Sequence, residues 1–490
     1  MLSLSSADRE FLSSVYDSAR LNPFSAERLS SDAAAVGRQE PDPSFEHIPD
    51  LLDKLDRRLG AILAAPGATW RDFPADEAAL VETAVLFLVF HRHSKSLDDY
   101  IHEQCESPGA AIPADCGAAI FADLRARGFP VARAERCVSV FFQMRRAFFF
   151  ITNGLVGECD SMRRLRIELW NAVFTSDLRL YLDTLWDRMD DFSVLLLGET
   201  GTGKGAAAMA VGRSGYIPYL SQRRAFSENF NETFLAINLS EFSESLIESD
   251  LFGHVKGAFT GAIGDHAGIF SRCSRHGAIF LDEIGDISEH VQIKLLQVLQ
   301  QRLFSPVGGH GQLRFGGRII AATNQDLAKR RAEGTFRNDF YYRLSSSHIA
   351  LPSLRRRIAE NQGELRLLID EIVRRLAGAP NGALASRIEE RLSKDLPEGY
   401  LWPGNVRELE QAVRSIIVTG HYFGESSAAT ARSGETVPPE LWRILSGAMT
   451  LDELDTWYCR HLFARVGTYH DVARRLGIDW RTVKQKIAGA

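Results

Sequence analysis

The sequence has no cysteine pair at metal or redox spacing. Its six cysteines, Cys105, Cys116, Cys137, Cys159, Cys273 and Cys459, are scattered through 490 residues. That pattern argues against a disulfide framework and predicts reduced thiols in a cytoplasm. A long apolar run is also missing. Ala84–Phe90, the most apolar stretch, is far short of the ~20 residues that span a bilayer. The N-terminus has neither the basic start nor the apolar centre of a signal peptide. Positive charge is scarce at this end. Residues 1–154 carry 16 Lys and Arg against 22 Asp and Glu, which accounts for the whole net charge of −6. Such a segment is a poor nucleic-acid surface. No internal repeat is found.

What is present is ordinary for a globular chain: 45% hydrophobic and 24% charged residues. The length suits roughly three domains. Residues 1–154 read as mostly helical, with Leu12, Val15 and Ala19 on one face and Leu51, Leu52, Leu55 and Leu59 on another. Ala78–Phe90 and Val131–Ile151 are strongly apolar, and the second predicts a buried helix through Phe141, Phe142, Phe148, Phe149 and Phe150. His91, His93, His102 and Cys105 lie close in sequence. They are either metal ligands or packed and solvated side chains at a helix end, and their spacing matches no zinc pattern. Nothing in this segment suggests catalysis, so it reads as a regulator or sensor.

The pattern changes from Leu155. The β-prone run Phe192–Leu197 leads into Gly198, Glu199, Thr200, Gly201, Thr202, Gly203, Lys204 and Gly205, followed by an Ala-rich helix. Strand, glycine-rich loop and helix make the setting of a phosphate-binding loop. Backbone N–H groups and the helix N-terminus cradle phosphates there, and the Lys reaches the β/γ oxygens. The Ser or Thr that usually follows the Lys and touches Mg²⁺ is replaced by Gly205. Downstream, the apolar strand Gly277–Leu281 ends in Asp282 and Glu283. Such a pair can hold a metal and polarise a water, or simply cap a helix. A further apolar run, Arg318–Thr323, ends at Asn324, where a polar group can sense the γ-phosphate. Arg337 and Arg343, six residues apart, are either surface arginines or fingers that reach a neighbouring subunit's phosphates.

Between the two halves of this site lies Gly257-Ala258-Phe259-Thr260-Gly261-Ala262. Glycines at the ends let the backbone turn tightly and project a tip. Phe259 is either presented to a partner or folded back into the core. From Leu351 the chain is largely helical to about Gly420 and includes the helix start Trp402-Pro-Gly-Asn-Val-Arg407. Residues 421–447 are rich in small and polar residues and read as a linker. In the tail, a helix through Leu451, Leu454, Tyr458 and Leu462 precedes a helix-turn-helix pattern. Gly477 permits its turn, Asp479 caps the second helix, and Ala473 and Leu476 pack on Val483 and Ile487. Arg481, Thr482, Lys484 and Gln485 then face a DNA groove or phosphates. A purely structural helical hairpin is the alternative, against a local charge of +3 from Tyr469 onward.

Taken in order, these motifs resemble the central AAA+ domain of the sigma-54-dependent transcriptional activators, the bacterial enhancer-binding proteins. The resemblance runs from about Leu155 to Gly420 and returns in a tail similar to a Fis-type helix-turn-helix. The Gly257–Ala262 string is its most specific element. It implies an α/β fold: a AAA+ P-loop core over 155–350, a helical lid over 351–420, a linker over 421–447 and an all-α DNA-binding domain over 448–490, preceded by the helical 1–154. It implies ATP and Mg²⁺ as cofactors. By resemblance Lys204 contacts phosphate, Asp282 holds Mg²⁺, Glu283 acts on the water, and Asn238 pairs with that Glu. Asn324 and Arg407 are the two sensors, and Arg337 and Arg343 the arginine fingers. Residues 257–262 touch sigma-54, and the tail holds double-stranded enhancer DNA. A cytoplasmic homo-oligomer follows, a hexamer when active and a dimer when inactive, that turns a closed promoter complex into an open one. The alternatives are a AAA+ machine acting on another protein and a DNA-binding regulator with weak ATPase. Four departures stand out: an extra polar stretch at Tyr219–Asn231, a long stretch between Gly157 and the glycine-rich loop, Trp480 where a basic residue is common, and no receiver, PAS or GAF pattern in residues 1–154.

Overall fold

The apolar runs Phe192–Leu197, Gly277–Leu281 and Arg318–Thr323 each supply a strand of one parallel sheet. A computed structural model describes residues 2–36, 48–107, 109, 113–424 and 449–488. Among these described residues nine strands occur: β1 (Val194–Leu197), β2 (Tyr219–Leu220), β3 (Ala225–Phe226), β4 (Phe234–Asn238), β5 (Ala278–Asp282), β6 (Leu303–Phe304), β7 (Leu313–Arg314), β8 (Arg318–Thr323) and β9 (Ser347–Ala350). Five of them form the sheet in the order β4-β5-β8-β1-β9, every neighbour parallel. Parallel strands need crossovers, and helices supply them on both faces. Alternate residues therefore enter different cores. Val194, Leu196, Phe280, Ile320 and Ala322 join one cluster, and Leu195, Ile279, Leu281, Ile319 and Ala321 the other.

The chain divides into two compact units. The first holds Met1–Glu390 and Glu398–Thr419 and contains the sheet, the lid helices and the N-terminal helices. The apolar cluster on one sheet face runs without a break from Phe11 to Leu351. The helical segment and the α/β core therefore share one interior. The apolar stretch from Val131 forms the 24-residue helix Val131–Gly154, with Phe141, Phe142 and Phe150 buried. Ala78–Phe90 falls inside the helix Ala75–Arg92.

The extra stretch at Tyr219–Asn231 has a structural use. β2 and β3 pair as a short antiparallel ladder, with Tyr219 opposite Phe226. Phe226 stacks on Phe142 at 4.1 Å, and the Tyr219 N–H donates to Ser139 Oγ at 2.8 Å. The insertion is thus the seat of the N-terminal helices on the α/β core. Arg146, fully buried in the same helix, donates to the carbonyls of Arg213 and Gly215 at 2.7 Å each. A cation is favourable at that place, because Arg213 caps the C-terminus of the helix Lys204–Gly212.

The second unit, Arg391–Pro397 with Gly420–Ala490, carries the tail. Its helices are Leu451–Val466, Tyr469–Leu476 and Trp480–Ala488. Gly477 turns at φ +69°, and Asp479 accepts the Arg481 N–H at 2.7 Å. Val472, Ala473 and Val483 are buried, with Leu476, Trp480 and Ile487 packed against them. Trp480, read as a departure in the recognition helix, is partly buried and packs against that core. Most of the stretch read as a linker, residues 425–447, lies outside the described residues. Among the described residues no helix is long and apolar enough to cross a membrane.

Candidate nucleotide site

The site assembles at the carboxyl ends of three neighbouring strands. β1 runs into the glycine-rich loop, β5 ends at Asp282, and β8 ends at Thr323 with Asn324 next. Ligands in open parallel α/β sheets bind outside this edge. Two backbone positions show why the loop needs glycine. Gly203 sits at φ +98° directly before the helix Lys204–Gly212. Gly201 has φ +79°, and a Cβ there would lie 2.1 Å from the Gly404 carbonyl oxygen. The loop thus presents backbone with a helix N-terminus behind it, the arrangement that takes phosphate. ATP fits this cradle on the chemistry of its donors. Gly205 carries no such steric demand: nothing lies within 4 Å of a Cβ built there.

Lys204 is buried, and its Nζ donates to the carbonyls of Gly198 and Glu199 at 2.9 and 3.3 Å. Burial lowers its pKa, opposed by the charges of Glu283 and Asp282. Those two carboxylates are therefore close enough to act on the lysine. Glu283 occupies the left-handed region at φ +54°. A non-glycine residue there is strained, and such strain collects at functional positions. Glu283 accepts the Asn324 N–H at 3.2 Å, and the Asn324 amide donates to Thr200 Oγ1 at 2.9 Å. These bonds tie the acid pair, the β8 terminus and the loop into one network.

The lid closes on the same loop. Val406 N–H donates to the Gly201 carbonyl at 3.0 Å. Asn405, fully buried at φ +53°, donates to the Thr200 carbonyl at 3.0 Å and accepts the Leu354 N–H at 2.8 Å. Arg355 forms a two-pronged pair with Glu199, one contact being 2.8 Å, and this pair holds the Glu199 pKa below its ordinary value. The sequence reading missed Asn405 and Arg355 as site residues. Asn405 stood within the quoted Trp402–Arg407 string, whereas Arg355 left no local signal. Arg407 follows Asn405 closely enough for its charge to act on Lys204.

Other residues singled out in the sequence stand apart. Asn238 sits opposite Asp282 in the β4–β5 register. Its side chain bonds Glu241 at 2.9 Å and Ser240 at 3.0 Å, rather than Glu283. Arg337 pairs with Asp339 at 2.8 Å and Glu289 at 3.0 Å, and the Asp339 bonds chiefly raise its pKa. Arg343 is exposed and donates to the Leu299 carbonyl at 3.1 Å. The stretch 257–262 is a tight surface turn. Gly257 and Gly261 have φ of +81° and +104°, and Gly257 N–H donates to the Ala262 carbonyl at 2.9 Å. Phe259 is 40% exposed at its tip, with one edge against His254 at 4.9 Å. In the tail, Arg481, Thr482, Lys484 and Gln485 are all exposed, while Val483 between them is buried. The histidines at 91, 93 and 102 do not converge, and among the described residues no group of three or more potential metal ligands exists. His102 packs edge-on to Phe149, and His93 lies 3.5 Å from Asp123.

Residues 184–350 match the family described as the sigma-54 interaction domain. The transcriptional regulatory protein ZraR of Klebsiella oxytoca is 36% identical over 338 residues, which cover 68% of each chain. This chain belongs to the sigma-54-dependent transcriptional regulators. A second such regulator, the putative uric acid sigma-54-dependent transcriptional regulator UacR of Escherichia coli K12, is 34% identical over 349 residues. That alignment covers 68% of this chain and 53% of UacR. The chain thus spans only a little over half of that regulator. A solved structure of NtrX from Brucella abortus in complex with ATP aligns at 21% identity and a TM-score of 0.42, over 76% of this chain and 80% of NtrX. The glycine-rich loop, the acid pair and the Phe259 turn all lie inside the matched sigma-54 interaction region.

Proposed function

We propose that this regulator hydrolyses ATP and uses the cycle to drive the Phe259 turn against sigma-54, opening a closed promoter complex. One observation carries the reading. The bonds from Glu283 to Asn324 and from Asn324 to Thr200 join the acid pair to the phosphate loop within one unit, from which an exposed aromatic turn projects. In this reading the loop N–H groups and Lys204 bind the phosphates. Glu283 orients and polarises the attacking water. Asn324 and Arg407 register the terminal phosphate, which Asn324 can pass to Glu283 through its own N–H. Asp282 would hold Mg²⁺, which would neutralise charge on the phosphate oxygens; Gly205 offers no side-chain oxygen for it. Arg337 and Arg343 are exposed enough to serve a neighbouring subunit of a ring, and Arg337 then exchanges Asp339 and Glu289 for phosphate. Asn238 reaches Glu283 only after leaving Ser240 and Glu241, so its pairing belongs to another nucleotide state. The four exposed polar residues of the last helix contact duplex DNA upstream of the promoter.

Two substitutions separate the motor from its output. Lys204→Ala removes the phosphate-binding cation and abolishes ATP turnover. Phe259→Ala keeps turnover within about twofold, because the turn touches none of the site, yet loses open-complex formation. Both are read by phosphate release and by transcription from a sigma-54 promoter in vitro. Full promoter opening by the Phe259 variant would sink the assignment of the turn.

A further inference from the structure

A cavity of about 270 Å³ lies inside the N-terminal helical bundle, away from the nucleotide site. It is enclosed by the helices Ser6–Arg20, Ala26–Val36, Ala75–Arg92 and Val131–Gly154 and by the segment around Leu178–Asp183. One wall is apolar, formed by Leu86, Phe87, Phe90, Val140, Phe141 and Met144. The polar lining is unbalanced: five arginines stand among the lining residues against two acids, Glu82 and Asp183. Arg28 is taken by Asp32 at 2.6 Å, Arg133 by Glu82 at 2.6 Å, and Arg179 by Asp183 at 3.4 Å. Two arginines remain. Arg20 has a 4.0 Å pair with Asp177 and lies over the Tyr16 ring at 5.2 Å, and its buried Nε has no hydrogen-bond partner among the described residues. Arg136 lies over the Trp186 ring at 5.7 Å. His91, 4.3 Å from the Phe87 ring, is held neutral by burial and by Arg28 and Arg145, so it adds a hydrogen-bonding group without charge.

The remaining wall leads to the motor. Tyr181–Leu185 is a π-helical turn, a rare geometry found mostly at functional positions. Leu178, Arg179, Leu182 and Asp183 line the cavity, and the Tyr181 hydroxyl donates to Gln143 at 2.6 Å. The same segment then passes a second cavity of about 930 Å³ through Trp186–Asp191 and enters β1, the strand before the phosphate loop.

We propose that the smaller cavity binds a small apolar carboxylate, its acid group meeting Arg20 and Arg136 and its body resting on Phe87, Phe90 and Phe141, and that occupancy is passed through Leu178–Asp191 to β1. A neutral ligand leaves the surplus guanidinium charge unmatched. A compact dianion such as phosphate leaves the aromatic wall uncovered. The volume is just under the ~300 Å³ at which pockets for drug-sized ligands begin, which suits a compound with one ring or a short chain.

The test is calorimetric titration of the full chain with phenylacetate and hexanoate, beside 2-phenylethanol and phenethylamine. At least one carboxylate should bind with a Kd of ~1 mM or tighter, and the alcohol and amine at least tenfold more weakly. Arg136→Gln, at a half-buried position, should weaken the carboxylate about tenfold while leaving the melting temperature of the free protein in place. Val140→Phe, which fills the cavity, should remove binding. Failure of both carboxylates to bind, equal binding of acid and amine, or wild-type affinity in both variants overturns the site. The coupling to β1 rests on the ATPase reading and has its own readout. Binding without any change in the turnover of an active ATPase overturns the coupling. A chain without turnover overturns the ATPase reading instead, while the calorimetric titration still decides the site.

Discussion

Single residues here are set by what surrounds them more than by their type. His91 and Lys204 are both basic groups, and burial lowers the pKa of each. For Lys204 two carboxylates oppose the shift; for His91 the neighbouring Arg28 and Arg145 add to it, and its pKa falls from 6.5 to about 3. The sign of the consequence follows from linkage. Between those two values the unfolded chain binds a proton at His91 that the folded chain does not. Stability from this group is therefore complete above 6.5 and declines as pH falls toward 3. His91→Leu should lose less melting temperature than the parent protein between about pH 7 and about pH 5. Equal losses in thermal denaturation would remove His91 from the acid response. Charge at Asn405 is not at issue; its backbone is. A left-handed Asn that ties the loop to the lid is visible in sequence only as an Asn after Pro-Gly.

At the scale of elements, the helix Val131–Gly154 illustrates how far periodicity reaches. Its length and burial were legible, since a run with five phenylalanines has to leave water. Its partner was not. The Tyr219–Asn231 stretch looks polar along the chain, yet it places Phe226 and Phe230 against Phe142 and Phe150. Two or three apolar residues in a polar segment give no periodic signal, though they complete a core once folded. Phe142→Ala removes a fully buried ring from this joint and should cost about 3–5 kcal/mol in urea unfolding of the full chain. A loss below about 1 kcal/mol would mean that the hairpin is not a load point of the first unit. The tail helix gives the opposite lesson. Trp480 packs on the small core of Val472, Ala473 and Val483, so its replacement of a basic residue does not remove a cation from the exposed row Arg481, Thr482, Lys484 and Gln485.

For the whole molecule, the shared interior matters most. A segment that merely precedes an α/β core in sequence can be cut away cleanly. Here the Phe11-to-Leu351 cluster crosses the boundary at Leu155, and Arg146 donates two hydrogen bonds to the end of the helix that follows the phosphate loop. Deleting residues 1–154 uncovers that face and leaves the carbonyls of Arg213 and Gly215 without their donor. Losing each of these charge-assisted hydrogen bonds costs about 1.5–3 kcal/mol. The truncated chain should melt well below the full chain and self-associate, seen by scanning calorimetry and light scattering. A monodisperse fragment with the parent melting temperature would show that the two parts fold independently. The helical segment is thus bonded to the back of the nucleotide helix, a position from which it can act on the site without touching it.

By itself the sequence determined the glycine-rich loop, the acid pair, the strand ends and the Phe259 turn, because each rests on a local pattern: a glycine spacing, an apolar run with a polar end, a small-residue turn. It also settled the family, since those patterns occur in a fixed order. Only the tertiary structure decided what meets across long separations. It brought Asn405 and Arg355 to the loop, placed Asn238 on Ser240 and Glu241, and assigned the extra stretch to the N-terminal helices. It also gathered five arginines and two acids around one cavity in a segment that is acidic overall. Net charge sums over the chain, whereas a binding site depends on which few charges the packing leaves facing the same space.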